Sequence, residues 1–215
     1  MQKSLHCIVA MLFLIAPSLA AQDPHQVPAT PEVEPWQFSG SVFYSDPPGT
    51  SDRVTAIVYA DRGPLHLEGR YGYEDKETAS VFAGWTLTGS EGDGLSVSLT
   101  PMLGAVVGNT DGIAPGLEAD LGWRRLAWYV EAEYLFDAHD SDDDFFYSWS
   151  TLTFGFTDWL RAGLVTERTK LVDTDFSVQP GLALEISNPH FVFSLYAYDI
   201  GTDDHYAVVS LGLAP

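Results

Sequence analysis

The side chains able to do chemistry in this sequence are mainly carboxylates. Thirty Asp and Glu stand against ten Lys and Arg in 215 residues. The densest group is Asp137-Ala138-His139-Asp140-Ser141-Asp142-Asp143-Asp144. Carboxylates this close suit Ca²⁺ or Mg²⁺, hard cations that take oxygen ligands. Asp137, Asp140, Asp142, Asp143 and Asp144 are therefore the candidate metal ligands. The run lacks the glycine and distal glutamate of an EF-hand loop, so a plain solvated loop is the competing reading. Asp137-Ala138-His139 and Asp203-Asp204-His205 each place an Asp two residues before a His, the pairing that orients a base in hydrolytic sites. No nucleotide loop, zinc motif or nucleophile elbow is present. The sequence thus assigns no catalytic residue and no cofactor.

A second set of charges is spread along the chain: Glu68, Arg70, Glu118, Asp120, Glu131, Glu133, Arg161, Glu167 and Glu185. Each sits on the polar side of an alternating run. Leu65, Leu67, Tyr71 and Tyr73 oppose His66, Glu68, Arg70 and Gly72. Leu117, Ala119, Leu121 and Trp123 oppose Glu118, Asp120 and Gly122. Trp128, Val130, Ala132, Tyr134 and Phe136 oppose Tyr129, Glu131 and Glu133. Val178, Leu182, Leu184 and Ile186 oppose Gln179, Gly181 and Glu185. A period of two puts such sets on opposite faces of a sheet.

About twelve runs of this kind follow one another, with turn residues between them. They begin near Trp36, Arg53, Leu65, Ser80, Leu95, Leu117, Leu126, Phe145, Trp159, Phe176, Phe191 and Tyr206. Most are about 9–12 residues, the length of a tilted membrane strand rather than the 5 or 6 of a soluble one. An even count returns both ends to one side. Alternate connections differ. Those after the first, third and later odd runs are acidic, as in Ser45 to Asp52, Glu74 to Glu77 and Asp137 to Asp144. The others are mostly tight turns such as Asp61-Arg62-Gly63-Pro64 and Trp123-Arg124-Arg125. Trp36, Trp123, Phe156 and Trp159 fall at the tight-turn end, where an aromatic girdle belongs. These features predict an all-β chain: a single antiparallel transmembrane β-barrel of about twelve strands over residues 36–215. In it the second set of charges lines the lumen.

The N-terminal residues carry a different signal. Lys3, the apolar run Cys7 to Ala16 and the small residues Ser18 and Ala20 read as a cleaved secretory leader over 1–21. Residues 22–35, Pro-rich and aperiodic, read as a periplasmic linker. Cleavage removes Cys7, the single cysteine, so the mature chain has no disulfide. It also removes Lys3, which moves the formal net charge from −20 to −21. Such acidity argues against nucleic acid as a partner and favours cations.

The stretch from Ala79-Ser80-Val81 to Thr157-Asp158-Trp159-Leu160-Arg161 resembles small bacterial outer-membrane β-barrel proteins, and the likeness of pattern covers most of the mature chain. The resemblance implies outer-membrane lipid, lipopolysaccharide (through shared divalent ions) and the barrel-assembly machinery as partners. One departure is the end, Leu213-Ala214-Pro215, where that class carries a terminal aromatic; inefficient insertion is the expectation. The function this implies is passive, a narrow cation-preferring channel or a membrane-structural barrel, and not an enzyme. The competing readings are a rim hydrolase using His139 or His205, and a soluble periplasmic β-sandwich or lipocalin-like binder with its apolar face inside.

Overall fold

The computed structural model describes residues 34–49, 51–92, 94–171 and 177–213. The expected leader and nearly all of the linker lie outside them. The described residues form β1 (Gln37–Ser45), β2 (Arg53–Arg62), β3 (Leu65–Tyr71), β4 (Ala79–Trp85), β5 (Leu87–Glu91), β6 (Leu95–Val107), β7 (Gly112–Trp123), β8 (Leu126–Asp137), β9 (Phe145–Gly155), β10 (Leu160–Leu171), β11 (Ser177–Ser187), β12 (Phe191–Tyr198) and β13 (Tyr206–Leu213), with one short 3₁₀ turn at Ser141–Asp143.

All pairings are antiparallel and, apart from β4 and β5, each strand pairs with its neighbour in sequence, while β1 pairs with β13 from Gly40↔Leu213 to Ser45↔Val208. The sheet closes where β4 pairs with β6. Strands β4 and β5 are two pieces of one stave. Gly84↔Met102 and Leu87↔Leu99 share one register, and the gap between them lies opposite Thr100 and Pro101. Proline has no N–H to give the ladder, which explains the interruption. The wall therefore has twelve staves, and closure leaves no open edge along its main height.

The alternation decides which face is which. Val42, Val58, Val81, Leu103, Leu164, Leu182 and Leu211 point outward and are exposed, Val81 at 65%. Glu68, Arg70, Glu131 and Glu133 point inward and are each under 5% exposed. An apolar belt of this extent would be an aggregation surface in water but is the natural face toward hydrocarbon. The fold is that of a transmembrane barrel. A sandwich or lipocalin-like binder would need the reverse, apolar side chains inside and charges outside.

Two rims bound the belt. The turn rim carries Gly63-Pro64, Arg124-Arg125, residues 156–159 and 188–190, and both described ends of the barrel. Exposed Trp36, Trp85, Trp123, Phe156 and Trp159 ring it. The loop rim carries the longer acidic connections. Strand β7 starts at Gly112, five residues before the run read from sequence, because Ile113 and Pro115 extend the outward set. A Cβ at Gly112 would stand 2.2 Å from the Phe136 carbonyl oxygen, so the tight β7–β8 approach there requires glycine.

Tyr73 departs from the alternation. Strand β3 ends at Tyr71, and Gly72 at φ +66 turns the chain, so Tyr73 faces the interior and not the lipid. Only glycine takes that backbone conformation without strain.

An internal acid cluster and its cavity

The interior is divided. Near the loop rim on the β4–β8 side, Phe82, Met102, Val106, Ala114 and Leu135 pack into an apolar plug with Phe145 against it. Gly104 makes the plug possible: a Cβ there would lie 2.4 Å from the Phe82 ring. The same ring also packs on Arg70, whose guanidinium carbon sits 4.1 Å from the Phe82 centroid and 4.4 Å from the Tyr73 centroid.

Arg70 is the hub of the charged set. Its Nη2 lies 2.8 Å from Glu68 Oε2 and 2.7 Å from Glu131 Oε1. Its Nη1 lies 2.9 Å from Glu133 Oε2 and 3.9 Å from Glu74 Oε1. Spacing explains the convergence. Glu68 and Arg70 are two apart on β3, as are Glu131 and Glu133 on β8, so each pair shares the inward face. A planar guanidinium presents its donors as a fork that several carboxylates can meet at once. Four carboxylates gathered on one cation carry an excess of formal negative charge, and burial makes that imbalance expensive.

A second group adjoins the first toward the turn rim. The Tyr129 hydroxyl donates to Glu118 Oε1 at 2.8 Å and lies 3.4 Å from Glu131 Oε2. His66 Nδ1 is 2.7 Å from Asp61 Oδ1. His66 Nε2 stands 3.9 Å from Glu118 Oε2 and 4.0 Å from Glu68 Oε2, beyond hydrogen-bond range.

The rest of the interior is hollow. A cavity of about 1140 Å³ runs from Pro47, Asp199 and Asp204 at the loop rim down past Tyr147, Trp149 and Glu167 to Asp61, His66, Ser98 and Asp120 near the turn rim. Its wall beside β9–β13 is firm: Val165, Ala183, Tyr196 and Tyr198 form a second buried cluster, and Trp149 Nε1 donates to the Tyr198 hydroxyl at 2.8 Å.

The structure thus gathers Glu68, Arg70, Glu131 and Glu133 in one network and sets Glu118 beside it. Asp120 and Glu167 stand apart from it on the cavity wall. Arg161 and Glu185 are register partners on β10 and β11 with Nε to Oε2 at 3.7 Å, near the turn rim, where Arg161 also donates to Thr153 and the Arg125 carbonyl. Two participants escaped the sequence reading. His66 was on the correct face but carries no motif. Glu74 was assigned to an outer loop, yet its side chain is fully buried and accepts from Ser80 Oγ.

The acidic loop is organised by its own backbone. Asp137 Oδ1 accepts from the N–H groups of His139 and Asp140, Asp140 Oδ1 from Asp142, and Asp144 Oδ1 from Asp137. Asp142 and Asp143 lie exposed in the 3₁₀ turn. Neither Asp–His pair forms a catalytic contact. His139 Nδ1 is 4.0 Å from Asp137 Oδ1, and His205 Nδ1 meets the Thr202 carbonyl at 2.8 Å.

No protein-family model matches the chain, and no curated protein matches it in sequence. Solved structures do match in fold. The KdgM porin superposes with a TM-score of 0.59 at 10% identity, covering 82% of this chain and 99% of that one. The KdgM porin in complex with disordered oligogalacturonate gives 0.57 at 10% identity over 82% and 99%. The NanC porin gives 0.56 at 10% identity over 83% and 98%. The chain therefore shares its fold, a closed antiparallel barrel of twelve staves, with the KdgM and NanC porins.

Proposed function

We propose that the chain is an outer-membrane channel through which small neutral or cationic solutes pass along the hollow side of the barrel, the loop rim facing outward. The observation that carries this reading is the charge of the cavity wall. Among the described residues Asp61, Glu118, Asp120, Glu131, Glu167, Asp199 and Asp204 line it, against Arg53 as the one Arg or Lys. A narrow, low-dielectric lane of one sign concentrates counter-ions and repels co-ions. A polyanion such as the oligogalacturonate named in one neighbouring structure meets seven carboxylates here, so fold likeness does not extend to that solute class.

The test is single-channel recording of the folded protein in a planar bilayer under a KCl gradient. Discrete steps with a reversal potential shifted toward that of K⁺ support the reading. Steps selective for Cl⁻ refute the preference. A silent but inserted barrel refutes the channel and leaves the membrane-structural role.

A further inference from the structure

We propose that His66, Glu68 and Glu118 form a binding site for a divalent transition-metal ion, of the Zn²⁺ kind, in the cavity wall. Their ligand atoms lie within 4.8 Å of one another, the one such group among the described residues. A metal bound at about 2.0–2.2 Å from each would bring donors to roughly 3.4 Å apart, so the 3.9 and 4.0 Å separations need to shrink by about half an ångström. Rotation about the glutamate side-chain torsions covers that distance.

The independent pointer is His66 itself. It is 6% exposed, and its Nε2 is buried with no hydrogen-bond partner. Buried polar atoms are nearly always paired, so an orphan aimed at two carboxylates calls for a partner. Its tautomer follows from its other side. Asp61 is a carboxylate acceptor, so Nδ1 carries a proton and donates to Oδ1 at 2.7 Å, which leaves Nε2 facing Glu68 and Glu118 as the nitrogen for the metal. Carboxylate–histidine–metal relays are built this way. Each glutamate is also held from behind, Glu68 Oε2 by Arg70 Nη2 and Glu118 Oε1 by the Tyr129 hydroxyl. Glu68 Oε1 has no hydrogen-bond partner, so turning this carboxylate to bring an oxygen onto the metal breaks no bond at that atom.

The donor set selects the ion. One imidazole and two carboxylates suit Zn²⁺, Mn²⁺ or Fe²⁺, whereas Ca²⁺ and Mg²⁺ take oxygen ligands only. A dication also relieves the charge excess around Arg70. Entry is open, because His66 and Glu118 both line the cavity. The site depends on the folded barrel and stands whether or not the cavity conducts.

The experiment uses untagged, folded full-length barrel in detergent, stripped with chelator and titrated with Zn²⁺ alone by calorimetry. Crystals of the zinc-loaded protein then locate the ion by anomalous scattering. The expected result is one tight site per chain, an anomalous peak between His66 and Glu118, and no displacement by excess Ca²⁺. His66→Gln abolishes the tight site, and Asp61→Asn weakens it by about 10–100-fold through loss of the relay. His139→Ala leaves it intact. Binding by wild type no tighter than by folded His66→Gln overturns the proposal, as does a peak at the 137–144 loop instead. If His66→Gln does not fold, the wild-type peak and Asp61→Asn decide.

Discussion

Glu131 on β8 stands 2.7 Å from Arg70 on β3, although three staves separate those strands around the wall. The contact is a chord across the interior and not a ladder neighbour. With Glu133 at 2.9 Å it braces the barrel from inside at the level where the apolar plug begins.

Removing the hub should cost more than any of its partners. Arg70→Met leaves Glu68, Glu131 and Glu133 buried without their cation, a loss of about 3–5 kcal/mol for a broken buried ion pair. Urea unfolding in detergent, or the temperature at which the unheated gel band converts to the boiled one, should register it. Arg70→Lys keeps the charge but not the fork and should fall between.

Gly104→Ala tests the plug. The added methyl meets the Phe82 ring, which is 3% exposed and also packed on Arg70, so it has little room to retreat. Overpacking of this kind costs about 1–3 kcal/mol. Phe82→Leu in the same chain should recover part of the loss.

Selectivity should respond to the carboxylates of the cavity wall and not to Glu133, which the network encloses away from it. Asp120→Asn with Glu167→Gln removes two lining carboxylates and should move the reversal potential toward zero without changing the unheated gel mobility. Glu133→Gln, enclosed beside Arg70, should leave the reversal potential where it is while lowering stability. The opposite pattern would place the solute path elsewhere.

The acidic loop should hold its shape into mild acid. At the loop rim, the backbone N–H groups of Asp140 and His139 hold the Asp137 carboxyl below the ordinary range. A lowered folded value means the contribution is complete above the unfolded value of about 3.9 and fades as pH falls through the lowered one. The protection of the His139 and Asp140 amides, corrected for the intrinsic exchange rate, should therefore hold at pH 5 and fall once the pH drops below about 3.9. In Asp137→Asn the step should vanish.

Much of this architecture is written in the period of two. Ten of the strand starts fall within one residue of the runs at Trp36, Arg53, Leu65, Ser80, Leu95, Leu126, Phe145, Trp159, Phe191 and Tyr206, because turn chemistry punctuates each. The run at Phe176 begins outside the described residues, and β11 starts at Ser177. Which charges face inward was legible for the same reason. What alternation does not encode is contact between staves distant in sequence. Nothing in Glu131 or Glu133 names Arg70 as their partner, and nothing in His66 names Glu118. Alternation carries Gly72 and Tyr73 on as strand, and hides the turn at Gly72 that sends Tyr73 and Glu74 inward. The plug was hidden too. Phe82 and Leu135 are apolar residues on the inward face, where a binary pattern expects polar ones.

The split between a packed side and a hollow side has a consequence for how such a barrel can change. Substitutions on the inward faces of β1, β2 and β10–β13 alter the bore while the brace on β3 and β8 keeps the cylinder round. Substitutions at Arg70 and Glu133 threaten the cylinder but barely touch the bore, whereas Glu131 belongs to both. The molecule is thus modular without having domains, and one sheet holds a region free to explore new cargo beside a region that is not.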